Sequence, residues 1–204
     1  VTVSFLKGLF TRQDAVAHTV ARPMGFASRA TQAETKEAEK TQLPPLVLDG
    51  DALGILAEWS EWADSVPEGS ILTPHPGEMA RLLDTTVEEV QADRVGLAKK
   101  AAAEWKQIVV LKGAASVIAT PEGKVFVSPF SNPALATAGT GDVLAGAIAG
   151  LLAQGLSAVD AACTGVYLHG LAGELLREEY GISGGLAGEL PVLLARAQHK
   201  LRGE

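Results

Sequence analysis

The chain has 204 residues, 47% of them apolar, enough for one sizeable core or one core with a small annex. A formal charge of −7 without a dense lysine–arginine cluster excludes a nucleic-acid binder, because affinity for a phosphate backbone needs a concentrated positive surface. The single cysteine, Cys163, excludes a disulfide framework within the chain, so a reducing, cytoplasmic setting is expected.

In chain order, residues 1–5 are a candidate strand and 11–20 a weak helix. Ala21, Arg22, Pro23, Met24 and Gly25 mark a turn, since proline fixes one backbone angle and glycine permits positive φ. The polar stretch 31–41 is rich in helix formers and predicts a solvent-facing helix. Leu46, Val47 and Leu48 read as a buried strand opening through Asp49, Gly50 and Asp51 into a helix over 55–62. Trp59 and Trp62 read as one packed side of that helix. Residues 70–73 form another short strand, stopped by Pro74 and Pro76.

A short helix is expected over 78–83 and a longer one over 86–106, where Val87, Val90, Val95, Leu97, Ala98 and Ala101 recur at helical spacing. Residues 108–111 give the clearest buried strand, ending at Lys112 and Gly113. Beyond it, 116–119 and 124–127 flank Pro121, Glu122 and Gly123, a hairpin signature. Apolar helices follow over 142–154 and 158–179, with Ser157 as cap between them. A last helix covers 186–201, bent or started near Pro191. No leader peptide is expected at the start. The apolar run 161–173 is too short to span a bilayer and is broken by Gly165, His169 and Gly170, so no membrane partner is expected.

Strands alternating with helices predict a single α/β domain over 1–204, its mostly parallel sheet covered on both faces. Ligands of such sheets sit at the carboxyl ends of the strands. That rule gathers Asp49, Asp51, Thr73, His75, Lys112 and Gly113 at one edge, to which the hairpin can return Gly139, Thr140, Gly141 and Asp142.

These last four residues form the strongest motif. Two glycines flank Thr140, and Asp142 opens an apolar helix whose first-turn N–H groups and dipole favour an anion. Asp142 is either a helix-terminal residue bonded to local N–H groups or a carboxylate that orients or deprotonates a substrate hydroxyl. The segment lacks GxxxxGK[ST] and GxGxxG, so neither a Walker loop nor a dinucleotide fingerprint is present. Lys112 either meets a phosphate beside Gly113 and Ser116 or simply leaves the sheet for solvent. His75, between two prolines, belongs either to a preorganised binding loop or to a structural turn, with Glu78 capping the helix it enters or orienting the ring. No second histidine or cysteine stands at zinc spacing. Asp49 and Asp51, if extended, face one side and could hold magnesium through water or anchor loops. His169 and Cys163 read as packing residues.

The stretches PLVLDGDAL, ILTPHPGEMARLL, VVLKGAASVIATPEG, NPALATAGTGDVLAGAIAGLLAQG and AACTGVYLHGLAGE follow one another over most of 45–174. Together they resemble the ADP- or ATP-dependent NAD(P)H-hydrate dehydratase family of the ribokinase-like superfamily; GTGD alone would point only to the superfamily. The resemblance implies a ribokinase-like three-layer α/β/α sandwich, and a lyase that restores NADH or NADPH from its hydrated form. In this reading ADP or ATP phosphorylates the ring hydroxyl, which then leaves as phosphate. It assigns Asp142 as the base on that hydroxyl and places His75 and Gly25 at the hydrated dinucleotide. Lys112, Gly113, Ala114, Ala115, Ser116, Gly139, Thr140 and Gly141 fall at the adenine nucleotide. It further implies Mg2+ and a homo-oligomer, commonly a tetramer.

Three departures accompany it. Little precedes Val1, so the domain is expected to be shortened at its N-terminus. Ala21 to Gly25 stands where the family has a GPGLG-like loop, leaving Gly25 as the carried residue. Gly188 and Glu189 replace the usual serine or threonine followed by aspartate. Two competing readings are a small-molecule alcohol kinase of the same superfamily and a nucleotide-binding or structural homologue without turnover.

Overall fold

Three parallel strands, β1 (Val47–Leu48), β2 (Ile71–Leu72) and β3 (Ile108–Leu111), continue into an antiparallel hairpin, β4 (Val117–Ala119) and β5 (Val125–Val127). The computed structural model describes Ser4 and residues 8–10 and 43–203. The chain divides into two compact units, Val1–Leu43 and Pro44–Glu204, and the whole sheet lies in the second. In the first unit Ser4 and residues 8–10 are helical. Apart from Ser4, the strand expected at 1–5 lies outside the described residues, as do the elements expected at 11–20, 21–25 (with Gly25) and 31–41.

Register is set by apolar pairs: Val47 stands opposite Ile71, Ile71 opposite Ile108, and Val110 opposite Ile118. Gly123, at φ 82°, closes the hairpin where Pro121, Glu122 and Gly123 predict it. Every residue of β3 and β4 is buried, which accounts for the uninterrupted apolar runs.

Eight α-helices are described in the second unit. They are α1 (Asp51–Ala57), α2 (Trp62–Ser65), α3 (Pro76–Leu82), α4 (Val87–Ala92), α5 (Arg94–Trp105), α6 (Thr140–Ala153), α7 (Ala158–Tyr180) and α8 (Leu190–Arg202). One sheet face, carrying Ile71, Ile108, Val110 and Ile118, joins a core with Leu144 and Ile148 of α6, Val166 and Leu176 of α7, and Leu193 of α8. Side chains alternate along a strand, so Val109 and Leu111 point the other way, where α5 packs on β3 and β4. The described residues thus build an α/β/α sandwich. None of their helices is long and apolar enough to cross a membrane.

Several helix boundaries differ from the sequence reading. Gly50, at φ 55°, turns the chain from β1 straight into α1, four residues earlier than expected, and places Asp51 on a helix. The stretch read as one helix over 55–62 is instead the end of α1 and a separate turn, α2, whose Trp62 meets Trp105 edge to face at 5.1 Å. The single helix read over 86–106 breaks at Asp93, whose carboxylate accepts from Gly96 N and caps α5. An aspartate that competes for a backbone N–H ends a helix that periodicity alone would continue.

Helix α7 runs through the core and carries glycines where neighbours press closest. A Cβ on Gly165 would stand 2.5 Å from Ile148 Cγ1 and 3.4 Å from Ile148 Cα, and one on Gly170 would strike the Phe130 ring. Close approach of α6 and α7 therefore offsets the poor helix propensity of glycine. Gly165→Ala is expected to lower stability by about 1–3 kcal/mol through overpacking, despite alanine being the better helix former. Urea unfolding followed by far-ultraviolet circular dichroism measures this.

Candidate functional site

The carboxyl ends of all three parallel strands converge on one ammonium. Lys112, the residue after β3, places Nζ 2.6 Å from Asp49 Oδ1 at the end of β1 and 3.7 Å from Glu78 Oε2 in α3. The Thr73 hydroxyl, just beyond β2, donates to the same Asp49 oxygen at 2.7 Å. Side chains of Lys112 and Asp49 are only 17% and 14% exposed, so water screens this pair less than a surface one. Lys112 is also fixed through its backbone, which donates to Pro74 O at 2.8 Å. Asp49 thereby ties together the ends of β1, β2 and β3. Asp51 is exposed on α1, so the two carboxylates do not share a strand face.

The N-terminus of α6 meets the same ammonium. Gly139, at φ 88°, is its N-cap, and no side chain caps the helix. The amides of Gly141 and Asp142 have no hydrogen-bond partner among the described residues. A Cβ on Gly141 would stand 3.3 Å from Lys112 Nζ, so the glycine admits the ammonium to the helix end. A cation facing the positive end of a helix dipole is unfavourable by itself. An anion between them would be attracted by both.

Asp142 is exposed, and its carboxylate accepts no hydrogen bond among the described residues; the helix-capping alternative is not what is seen. Thr140 differs. Its side chain is buried, its hydroxyl is 2.7 Å from Leu135 O and 2.9 Å from Thr137 O, and its carbonyl accepts from His169 Nε2 at 2.9 Å. Burial holds the His169 imidazole below its ordinary pKa, outweighing the opposing pull of the Thr140 carbonyl. His169 is thus a neutral, satisfied packing residue that also fixes the turn ahead of Gly141. Cys163 is half-buried, and burial, with a smaller contribution from Asp160, raises its thiol pKa, as suits an inert thiol.

His75 takes the structural role of the two read for it. Nδ1 accepts from Gly77 N and Glu78 N, and Glu78 Oε2 accepts from His75 N at 2.7 Å, a capping box that starts α3 two residues before the expected helix. The ring nevertheless stays 56% exposed at the edge of the site. In the turn after β3, Ser116 Oγ donates to Gly113 O and accepts from Gly113 N, a local staple. Ala115, at φ 51°, donates its N–H to Phe130 O at 3.0 Å.

Two cavities adjoin these residues. One of about 320 Å³ is walled by Lys112, Gly113, Ala114 and Ser116, with Phe130 and His169 further in. Another of about 530 Å³ is bordered by Asp49, His75, Glu78, Gly139 and Asp142. Lys112, Gly113, Thr140 and Gly141 border both, so the ammonium and the helix end lie where the cavities adjoin. Ala115 lines neither, and Gly25 lies outside the described residues. Sequence reading did not assign Phe130, Asn132 or Leu135 to the site, although Asn132 and Leu135 fall within the NPALATAGTGD stretch. It also missed Arg94, which donates to the carbonyls of Leu111 and Lys112 from a helix earlier in the chain. Among the described residues, no three His, Cys, Asp or Glu side chains are grouped to hold a metal.

Residues 12–194 match the family model described as NAD(P)H-hydrate dehydratase. The ADP-dependent (S)-NAD(P)H-hydrate dehydratase of Neisseria meningitidis serogroup B is 43% identical over 185 residues, 89% of this chain and 62% of that protein. The ADP/ATP-dependent NAD(P)H-hydrate dehydratase from Bacillus subtilis, co-crystallised with ATP/Mg2+, superposes with a TM-score of 0.69 at 39% identity, over 76% of this chain and 55% of that one. A ribokinase-like superfamily protein from Enterococcus faecalis gives a TM-score of 0.65 at 29% identity, over 76% of this chain and 52% of that one. The fold is therefore ribokinase-like, and this chain spans between about half and two thirds of the length of these relatives.

The lowered pKa of His169 sets a pH dependence. The unfolded chain, with an ordinary imidazole near pH 6.5, binds the proton more tightly than the folded one. This contribution to stability is present above about pH 6.5 and is lost as pH falls through the lowered folded value. His169→Gln keeps an N–H for the Thr140 carbonyl but does not titrate. It is expected to flatten the fall of the urea midpoint on acidification below about pH 6.5, read from denaturation curves in a pH series.

Proposed function

The chain belongs to the NAD(P)H-hydrate dehydratase family, and on that premise we propose that it dehydrates hydrated NADH or NADPH at the expense of ADP or ATP. The observation that carries this reading is the uncommitted Asp142 carboxylate, which borders the larger cavity beside two unpaired helix amides. The adenine nucleotide takes the smaller cavity, its phosphates directed at Lys112 and the amides of Gly141 and Asp142. The hydrated nicotinamide takes the larger, beside His75 and Asp142.

Asp142 accepts the proton of the ring hydroxyl as its oxygen attacks the terminal phosphorus. The bond from that phosphorus to the departing ADP or AMP breaks. Lys112 and the end of α6 are fixed before reaction and stabilise the charge on the transferring group. Loss of phosphate from one ring carbon and of a proton from its neighbour then restores the double bond. The described residues form no all-protein cage for a metal. Mg2+ belongs to this reading as the companion of the nucleotide phosphates, where few protein oxygens are needed, and no step runs through it. The same reading takes in a cytoplasmic homo-oligomer, expected as a tetramer in light scattering.

The test is incubation with hydrated NADH, magnesium and ADP or ATP, following cofactor absorbance and released nucleotide together. Asp142→Asn is expected to lower kcat by about 100-fold or more while nucleotide affinity changes little. Equal turnover by parent and variant removes Asp142 from the role. A stable phosphorylated product without return of NADH would favour the kinase reading, and nucleotide binding without turnover the non-enzymatic one.

A further inference from the structure

We propose that Arg94 is a positioning residue for the nucleotide-phosphate end of the site, holding the Lys112–Gly113 backbone in place and supplying a positive charge that no carboxylate cancels. This rests on the nucleotide assignment above. Arg94 opens α5, on the sheet face opposite α6, and lines neither cavity. Its Nη2 donates to Leu111 O at 3.2 Å and to Lys112 O at 3.4 Å, and its Nη1 donates to Gln91 Oε1 at 3.2 Å.

Three observations point the same way. Gly113 lies against the guanidinium so closely that a Cβ there would stand 2.7 Å from Arg94 Nη1, and its φ of 146° is one that glycine tolerates best. One guanidinium nitrogen, Nη2, reaches both adjacent carbonyls while Gln91 holds Nη1, so the planar group is anchored at both ends in a way that a single ammonium is not. Among the described residues Arg94 has no acidic partner, since its neighbour Asp93 is engaged by Gly96 N. Lys112, by contrast, already meets Asp49 and Glu78. The carboxylates that orient the lysine also offset its attraction for a phosphate. A half-buried guanidinium satisfied only by carbonyl and amide dipoles restores positive potential behind the same turn.

The experiment compares the parent, Arg94→Ala and Arg94→Lys in three measurements. Calorimetric affinities for ADP and for adenosine separate the phosphate end from the base, and hydrogen exchange of residues 113–116 without ligand reads the turn. Arg94→Ala is expected to lose about tenfold or more in ADP affinity, the scale of charge-assisted hydrogen bonds, with adenosine affinity held and exchange in the turn accelerated. Arg94→Lys should keep the charge and the fold but recover ADP affinity only in part, which keeps the test decisive if the alanine variant unfolds. Parallel losses for ADP and adenosine, or unchanged ADP affinity in a folded variant, would overturn the proposal. If the parent binds neither ADP nor ATP, the proposed function fails; unchanged exchange in the turn then also overturns the positioning role, and accelerated exchange supports it.

Discussion

The contact between Lys112 and Asp49 organises the site because it joins segments that are distant in sequence. Asp49 ends β1, Thr73 follows β2, Lys112 follows β3 and Glu78 lies in α3; a single ammonium and one carboxylate oxygen bring all four together. Without the ammonium, Asp49 and Glu78 would be two partly buried carboxylates lacking a counter-charge, the costly case for an ionised group. Without Asp49, Lys112 would face the positive end of α6 with much less compensation. Strand order alone brings these ends to one edge, but this charge arrangement fixes where the lysine points.

The turn before α6 is rigid for a different reason. Thr140 is buried and held on both sides, by carbonyls of the preceding loop and by a neutral histidine from α7. Its immediate successors have free amides, and Asp142 has a free carboxylate. A fixed residue next to unsatisfied ones is the arrangement expected where donors must be aimed before a ligand arrives. The glycines of α7 contribute indirectly: by admitting Ile148 and Phe130 they let the helix that carries His169 lie close enough to reach Thr140. Core packing and site geometry are here the same set of contacts.

Local sequence carried much of this. The buried strands at 46–48 and 108–111, the hairpin around Gly123 and the glycine-flanked helix start were legible because apolar runs, turn residues and helix-end chemistry act over a few positions. The helix at 86–106 was misread because its apolar spacing continues across Asp93, and only the side-chain bond to Gly96 N reveals the break. His75 was readable as a stiff loop residue, but not as an N-cap, since aspartate and serine usually fill that place. Arg94 was invisible for a stronger reason: its partners are backbone carbonyls, which leave no trace in residue type, and they lie 17 and 18 positions away.

These distinctions bear on how one turn can serve both phosphate and hydroxyl. A carboxylate at the end of a helix dipole would ordinarily be drawn onto the helix amides as a cap. Asp142 sits three positions past the cap, inside the first turn, while Gly139 occupies the capping position and has no side chain to accept. The amides therefore remain free for an anion, and the carboxylate remains free to accept a proton from a group brought alongside it. A serine or aspartate at 139 would be strained, because the φ of 88° favours glycine and a Cβ there would stand 3.1 Å from Ala187 Cβ. The glycine at that position thus leaves free amides and a free carboxylate on neighbouring residues of a single helical turn, the arrangement that the proposed reaction would use.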